Sequence, residues 1–176
     1  MPTDLAPPSN IRFRIIGVSM LMAFILYLDR VCLGEIVKSD SFARDVLLSD
    51  KELGDILGAF FFTYALFQIP TGWASDRFGA RKVLTAYIVL WSVFTGMTGL
   101  MSSFAGLLVM RLLCGAAEAG AYPTSGAVIR RWIPLESRAR ASALVAFGGR
   151  IGGTLAPFLT AWMVIELGHW RRPLFV

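Results

Sequence analysis

Between two long hydrophobic runs lies the charged stretch Gly72-Trp73-Ala74-Ser75-Asp76-Arg77-Phe78-Gly79-Ala80-Arg81-Lys82. Asp76 and Arg77 end the first run with charge, and Arg81 with Lys82 opens the second run. Gly79 allows the chain to turn between the runs, and Gly72, four residues before Asp76, allows two helices to approach closely. The stretch therefore predicts a short loop that joins two membrane-spanning helices.

The composition excludes an ordinary soluble domain. The chain has 176 residues, of which 56% are hydrophobic and 16% are charged, and its mean hydropathy is +0.63. Soluble globular domains are about 45 to 50% apolar and about 25% charged. The net charge of +5 comes from bases at the ends of apolar runs. Because these bases form no separate patch with interleaved aromatic residues, we expect no nucleic-acid partner.

The sequence shows no pattern of an enzyme or a metal site. Cys32 and Cys114 each lie inside an apolar run, and no histidine or second cysteine follows at ligand spacing. No set of nucleophile, base and orienting residue is present, and no phosphate-binding glycine loop. We therefore expect neither an enzyme nor a bound cofactor or metal.

The hydropathy predicts an all-α, polytopic membrane protein. A membrane-spanning helix needs about 20 apolar residues, and five stretches qualify: Ile11–Leu33, Leu53–Ala74, Val83–Met101, Phe104–Ile129 and Ala141–Leu167. The polar connector Glu35–Lys51 is long enough for a short amphipathic helix. Ser49 with Glu52 forms the pattern of a capping box that begins the second span. Residues 1–10 form a polar tail, and residues 11–176 form the membrane domain.

The basic residues predict how the chain is oriented. If the five spans alternate in direction, one set of bases falls on a single face: Arg12, Arg14, Arg77, Arg81, Lys82, Arg130, Arg131, Arg138 and Arg140. The positive-inside rule assigns that face to the cytoplasm. We therefore expect a multi-pass protein of the cell (inner) membrane with a cytoplasmic N-terminus.

Five ionisable residues fall within the predicted spans: Asp29, Arg30, Arg111, Glu118 and Arg150. Each costs about 2.5 to 3.5 kcal/mol to insert, so each is a candidate functional residue. Glu118 lies too deep for its short side chain to reach water through lipid, so it must face protein or a cavity, or carry a proton. Arg111, Gly115 and Glu118 share one helix face because they are spaced i, i+4 and i+7.

Structural roles remain open for the three arginines. Arg30 could be an anchor at the membrane interface, and Arg111 could pair with a neighbouring helix. Arg150 lies in the run Gly148-Gly149-Arg150-Ile151-Gly152-Gly153, whose glycines permit close helix packing. Its guanidinium could bind a substrate carboxylate or form a structural ion pair, for example with Glu118. His169 is expected to be solvated in an outer loop.

Several motifs resemble the anion:cation symporter family of the major facilitator superfamily. They are Tyr27-Leu28-Asp29-Arg30, the stretch 72–82, Arg111 to Pro123 with Gly115 and Glu118 between them, and Arg131-Trp132-Ile133-Pro134 followed by Arg138-Ala139-Arg140-Ala141. The resemblance runs from Ile11 to the end of the chain. It corresponds to helices 1–5 and the start of helix 6 in the N-terminal six-helix half of the major facilitator fold.

The resemblance implies a transporter and assigns roles to residues. Members of the family import small organic anions, such as sugar acids, together with protons or sometimes sodium. By resemblance, Asp29 and Glu118 are the protonatable pair, and Arg30, Tyr27, Tyr64 and Gln68 line the substrate cavity. The stretch from Gly72 to Lys82, with Asp76, Arg77, Gly79 and Arg81, would form a cytoplasmic gate against the other half of the transporter.

Two hypotheses of function follow. The first is proton-coupled uptake of an organic anion by alternating access, in the lipid bilayer and together with a C-terminal transporter half that this chain lacks. The residues add Arg150 as a second cationic contact for the anion. The alternative is a truncated, non-transporting membrane fragment or a helix partner of another membrane protein. An in-frame continuation after Val176 would distinguish the two.

Overall fold

A computed structural model describes residues 10–175, and all regular structure in this range is helical. The helices are α1 (Ile11–Ile36), α2 (Asp40–Asp45), α3 (Asp50–Phe78), α4 (Ala80–Thr98), α5 (Phe104–Glu118), α6 (Ala121–Trp132) and α7 (Leu135–Leu167), followed by a 3₁₀ turn at Arg172–Phe175. The predicted all-α class is confirmed. The predicted tail, residues 1–10, lies outside the described residues except for Asn10.

The five predicted spans correspond to long helices. Four segments are long and apolar enough to cross a membrane: α1, α3, the combined segment Phe104–Trp132, and α7. The remaining span is α4, which has 19 residues. Its apolar part is shorter because Arg81 and Lys82 occupy its first turn. The connector after α1 contains the short helix α2, as predicted.

Local sequence sets the ends of the second span. Ser49 accepts a hydrogen bond from the backbone N–H of Glu52, and the Glu52 carboxylate accepts one from the backbone N–H of Ser49. This is the predicted capping box. At the other end, Gly79 alone separates α3 from α4 and has a φ of 90°. Only glycine adopts such a backbone conformation without strain, so Gly79 is the turn of the charged loop.

The fourth span is interrupted between α5 and α6. α5 ends at Glu118, α6 begins at Ala121, and Ala119 and Gly120 lie between them. Pro123 has no N–H to donate to the carbonyl of Ala119 four residues earlier, which explains the break. Ala119 and Gly120 keep right-handed helical backbone angles, so the hydrogen-bond ladder is interrupted directly after Glu118 while the segment continues to Trp132.

The bundle is built from two closely packed helix pairs. α1 packs most extensively against α7, and α3 packs against α5. A Cβ added at Gly152 of α7 would lie 2.2 Å from the backbone oxygen of Phe24, and one added at Gly115 of α5 would lie 2.2 Å from that of Phe60. No side chain fits at either contact, so the backbones touch directly. The close packing predicted for the glycine run of α7 is confirmed.

The outer faces of the helices carry large apolar side chains. Many are exposed in the described structure, including Val18, Leu21, Ile69, Phe158, Trp162 and Ile165. Exposed apolar surface of this extent is unfavourable in water but favourable against lipid. The arrangement agrees with a protein that lies in a membrane.

The end of the chain returns to the connector between α1 and α3. Trp170 is fully buried, and its ring meets the ring of Phe42 in α2 edge to face at a centroid distance of 4.9 Å. The Trp170 indole N–H donates a hydrogen bond of 3.0 Å to Asp45. These contacts fix α2 beside the segment that follows α7.

Candidate functional site

An ion pair inside the bundle forms the centre of the candidate site. Arg30 of α1 donates a hydrogen bond from Nη2 to Oε2 of Glu118 in α5 at 3.1 Å. The Glu118 side chain is 3% exposed and the Arg30 side chain 12% exposed. The sequence predicted that Glu118 faces protein or a cavity, and its contact is a cation on another helix. Arg30 is therefore not a simple anchor at the membrane interface.

Three aromatic rings surround the Arg30 guanidinium. Its Cζ lies 4.3 Å from the ring centroid of Tyr64, 5.1 Å from that of Tyr27 and 5.2 Å from that of Phe60. Cations lie favourably over aromatic faces at such distances. The structure thus brings together Arg30, Tyr27 and Tyr64, which the sequence assigned to the cavity. Phe60 is an addition, because the first of three consecutive phenylalanines in an apolar run is interpreted from sequence as a lipid-facing or packing residue.

A second acid and a second base lie beside this pair. Thr95 of α4 donates a hydrogen bond of 3.2 Å from Oγ1 to Oδ2 of Asp29. Arg111 is 3% exposed, and its Cζ lies 5.5 Å from the ring centroid of Phe60. Arg111, Gly115 and Glu118, whose spacing predicted one shared helix face, are all buried. The site therefore contains two acids and two bases on α1 and α5.

Two predicted cavity residues lie outside this cluster. Gln68, one helical turn after Tyr64, is exposed on α3, and Arg150 is exposed on α7. The ion pair with Glu118 that the sequence suggested for Arg150 is made by Arg30 instead. The sequence could not choose between them, because helix rotation decides which of two arginines meets the acid. Binding of a substrate by Gln68 or Arg150 stays a prediction.

Tyr122 is a further aromatic residue that the sequence analysis did not single out. Its ring meets the ring of Tyr27 edge to face, with centroids 6.3 Å apart. Its hydroxyl oxygen lies 2.8 Å from the position of a Cβ added at Gly149. Tyr122 lies in the first turn of α6, directly before Pro123. The available signal was its position four residues after Glu118, on the same side of a helix.

The charged loop, residues 72–82, lies at one end of the bundle. A cleft of about 910 Å³ there is lined by residues from four helices, among them Ile11, Asp76, Arg81, Arg130 and Trp132. The basic residues of separate loops therefore lie at the same end, as the orientation analysis required. Arg77 is exposed and stacks over Trp73, with Cζ 5.7 Å from the ring centroid.

The close helix approach expected at Gly72 is not observed. A Cβ added there would lie 3.5 Å from Cβ of Pro123, which is ordinary van der Waals contact. The helices are therefore not closest at this position. A closer approach of α3 to another helix is found at Gly115 of α5, where an added Cβ would lie 2.2 Å from the backbone oxygen of Phe60.

A separate polar cluster lies at the opposite end, around Asp45. Its Oδ2 lies 3.2 Å from Nε2 of His169 and 3.6 Å from Nε of Arg171, in addition to the Trp170 hydrogen bond. The Trp170 indole N–H, followed by the neighbouring His169 and Arg171, lowers the pKa of Asp45 below its ordinary value of 3.8. His169 was expected to be solvated, but it is half-buried and contacts Asp45.

Comparison with known proteins identifies the family. The model of the Major Facilitator Superfamily matches residues 19–176. A crystal structure of a bacterial homolog to the human lysosomal transporter Spinster, in an inward-facing and occupied conformation, superposes with a TM-score of 0.81 at 27% identity. The match covers 89% of this chain and 33% of that protein.

Curated relatives are transporters by name. A probable sulfoacetate transporter of Cupriavidus necator is 35% identical, with 94% of this chain and 38% of the relative covered. A probable galactarate/D-glucarate transporter of Escherichia coli is 31% identical, with 92% and 37% covered. Probable anion transporter 5 of Arabidopsis thaliana is 34% identical, with 94% and 38% covered. The chain thus spans less than two fifths of the length of these relatives.

Proposed function

Because this chain belongs to the Major Facilitator Superfamily, we propose that it supplies the proton-binding and anion-binding residues of a symporter that imports a small organic anion. The observation that carries the proposal is the buried ion pair between Arg30 and Glu118. A buried pair of this kind contributes little net stability because desolvation offsets the attraction. Ionisable residues within spans usually mark a pathway for ions or substrates.

Proton binding and anion binding would be linked through Arg30. While Glu118 carries a negative charge, its carboxylate occupies a donor of the guanidinium. A proton on Glu118 removes that charge and frees Arg30 to bind a substrate carboxylate or sulfonate with its planar set of donors. Asp29, held by Thr95, would be the second proton site. The proton would therefore have to bind before the anion does.

The kind of anion is inferred from the site and from the relatives. Arg30 is surrounded by aromatic residues, and two of these, Tyr27 and Tyr64, carry hydroxyl groups that can bind the oxygens of a small polar molecule. Two of the relatives are named as a probable sulfoacetate transporter and a probable galactarate/D-glucarate transporter. A small carboxylate or sulfonate of that class could bind to the Arg30 guanidinium and to the hydroxyl groups of Tyr27 and Tyr64. Gln68 and Arg150 would be further contacts.

Transport by alternating access would require the charged loop. We place it on the cytoplasmic side of the inner membrane, with the N-terminus on the same side, because the bases of several loops lie at that end. Asp76, Arg77 and Arg81 are exposed there and would pair with a second helical half. Rocking of the two halves about the central site would then open it to each side in turn.

Substitution of Glu118 tests this proposal. The protein, expressed from its complete reading frame, is reconstituted in liposomes, and uptake of labelled glucarate or sulfoacetate is followed under an inward proton gradient. The unaltered protein should accumulate the anion. Glu118→Gln should lose proton-driven accumulation, because a side-chain amide does not titrate and cannot load and release the coupled proton.

Glu166→Gln is the matched control, because Glu166 is also in a long helix but is exposed. It should accumulate the anion like the unaltered protein. Undiminished proton-driven uptake by Glu118→Gln would contradict the role of Glu118. Accumulation that is driven by a sodium gradient and independent of pH would show that the coupling ion is sodium and not the proton.

A further inference from the structure

Phe60 of α3 lies between the two arginines of the site. Its ring centroid is 5.2 Å from Cζ of Arg30 and 5.5 Å from Cζ of Arg111. Arg30 belongs to α1 and Arg111 to α5, so one ring contacts cations from two other helices. The residue as a whole is 2% exposed. No other aromatic ring in the described part of the chain lies over both guanidinium groups.

Both arginines need such a contact because their hydrogen bonding is incomplete. The Nε atoms of Arg30 and Arg111 are buried and have no hydrogen-bond partner among residues 10–175. An unpaired buried donor is costly, and the cost is greater when the donor carries charge. The face of an aromatic ring carries partial negative charge and attracts a cation at these distances. The Phe60 ring thus compensates in part for the acceptors that the two Nε atoms lack.

The ring is held in position by its surroundings. The backbone oxygen of Phe60 packs against Gly115, where an added Cβ would lie 2.2 Å from it. The Tyr64 ring stacks at a centroid distance of 5.9 Å and an interplanar angle of 14°, and the Phe61 ring meets it edge to face at 5.3 Å. Phe60 is therefore a fixed surface against which the guanidinium groups lie.

We propose that Phe60 is a positioning residue for anion binding, which keeps Arg30 and Arg111 oriented when Glu118 carries a proton. In that state the ion pair no longer holds Arg30. Tyr27, Phe60 and Tyr64 remain in contact with it, and Phe60 alone among them also contacts Arg111. The inference rests on the proposed function, because it assigns Phe60 to the same binding site.

An aliphatic residue would fill the space without this effect. Leucine is apolar and similar in size, so Phe60→Leu preserves most of the packing but removes the ring face. Phe60→Tyr keeps the ring. If Phe60 only fills the core, leucine and tyrosine should perturb anion binding alike. If it positions the arginines, the two substitutions should differ.

The test is the concentration dependence of labelled anion uptake by the reconstituted protein from its complete reading frame. We expect Phe60→Leu to raise KM about tenfold, the effect of losing about 1.4 kcal/mol of cation–π attraction, with a smaller change in the maximal rate. Phe60→Tyr should keep KM within about threefold of the unaltered value, since the ring face is retained. Phe62→Leu is the control, because Phe62 lies two residues further along α3, is 67% exposed and lies over neither guanidinium in the described part of the chain.

The outcomes separate this inference from the proposed function. If the unaltered protein takes up the anion and Phe60→Leu has an unchanged KM, the inference is wrong while the function stands. If Phe60→Leu and Phe60→Tyr raise KM equally, Phe60 is a packing residue and the inference is also wrong. If the unaltered protein takes up no organic anion under any ion gradient, the proposed function fails and the inference fails with it.

Discussion

At Gly115 the backbones of α3 and α5 are in direct contact. A Cβ there would lie 2.2 Å from the backbone oxygen of Phe60 and 2.4 Å from Oγ1 of Thr63. Backbone atoms cannot rotate away, so Gly115→Ala should separate the helices and lower the free energy of unfolding by about 1 to 3 kcal/mol. Thermal unfolding of the purified protein in detergent measures the effect.

Gly58→Ala is the matched control for this prediction. Gly58 lies in α3, and a Cβ added there meets nothing within 4 Å. Alanine is the better helix former, so we expect this variant to be as stable as the unaltered protein or more stable by about 0.5 to 1 kcal/mol. Equal destabilisation at both positions would show that backbone contact at Gly115 does not fix the pair of helices.

At the scale of residues, the sequence identified the charged groups but not their contacts. Insertion cost alone singled out Arg30, Arg111 and Glu118, because an ionisable residue in an apolar run is conspicuous. Glu118 is separated from Arg30 by 88 positions along the chain. Their pairing depends on how α1 and α5 are rotated about their axes. Periodicity within one helix contains no information about that rotation.

The short helix α2 is held to the segment after α7 by the buried contact of Phe42 with Trp170 and by one carboxylate. Asp45 accepts the Trp170 hydrogen bond and lies beside His169 and Arg171, and its pKa is lowered below 3.8. A carboxyl with a lower pKa in the folded state stabilises the protein above its ordinary pKa, and this stabilisation is lost as pH falls through the lowered value. The contact should therefore weaken only in acid, below about pH 4.

Acid unfolding of Asp45→Asn tests this prediction. The variant should be less stable than the unaltered protein at pH 6 to 7, where Asp45 is charged, and the difference should shrink as the pH falls below about 4. Asp40→Asn on the same helix is the control, since Asp40 is exposed and makes no ion pair among residues 10–175. A difference that stays constant down to the lowest pH would contradict the electrostatic origin.

At the scale of helices, hydropathy predicted five helical segments, of which four are long and apolar enough to cross a membrane, and it missed the interruption in the fourth. The apolar run continues through Ala119 and Gly120, so composition alone indicates one helix. Pro123 supplied a signal, since it removes a donor four residues after Ala119. The contact between Trp170 and Asp45 could not be foreseen, because it joins α2 to the segment after α7, 125 positions further along the sequence.

The whole molecule combines two similar helix pairs around the charged site. α1 packs on α7 and α3 on α5, so the first and second spans each pair with a span from the second part of the chain. The Arg30–Glu118 ion pair joins α1 to α5 and thereby links the two pairs. A change of charge at Glu118 would therefore act where the pairs meet. In the proposed symport, a proton at this position would change the contact between the two helix pairs.

The orientation of the molecule in the membrane gives the last prediction. The cleft that joins Asp76, Arg81 and Arg130 places the basic loops at one end, and α2 lies towards the other. Ser137→Cys, at the basic end, should be protected from a membrane-impermeant maleimide in intact cells and react after lysis. Ala43→Cys in α2 should react in intact cells. Both positions are exposed, and the native Cys32 and Cys114 are buried. The opposite labelling pattern would place the charged loop outside and exclude its role as a cytoplasmic gate.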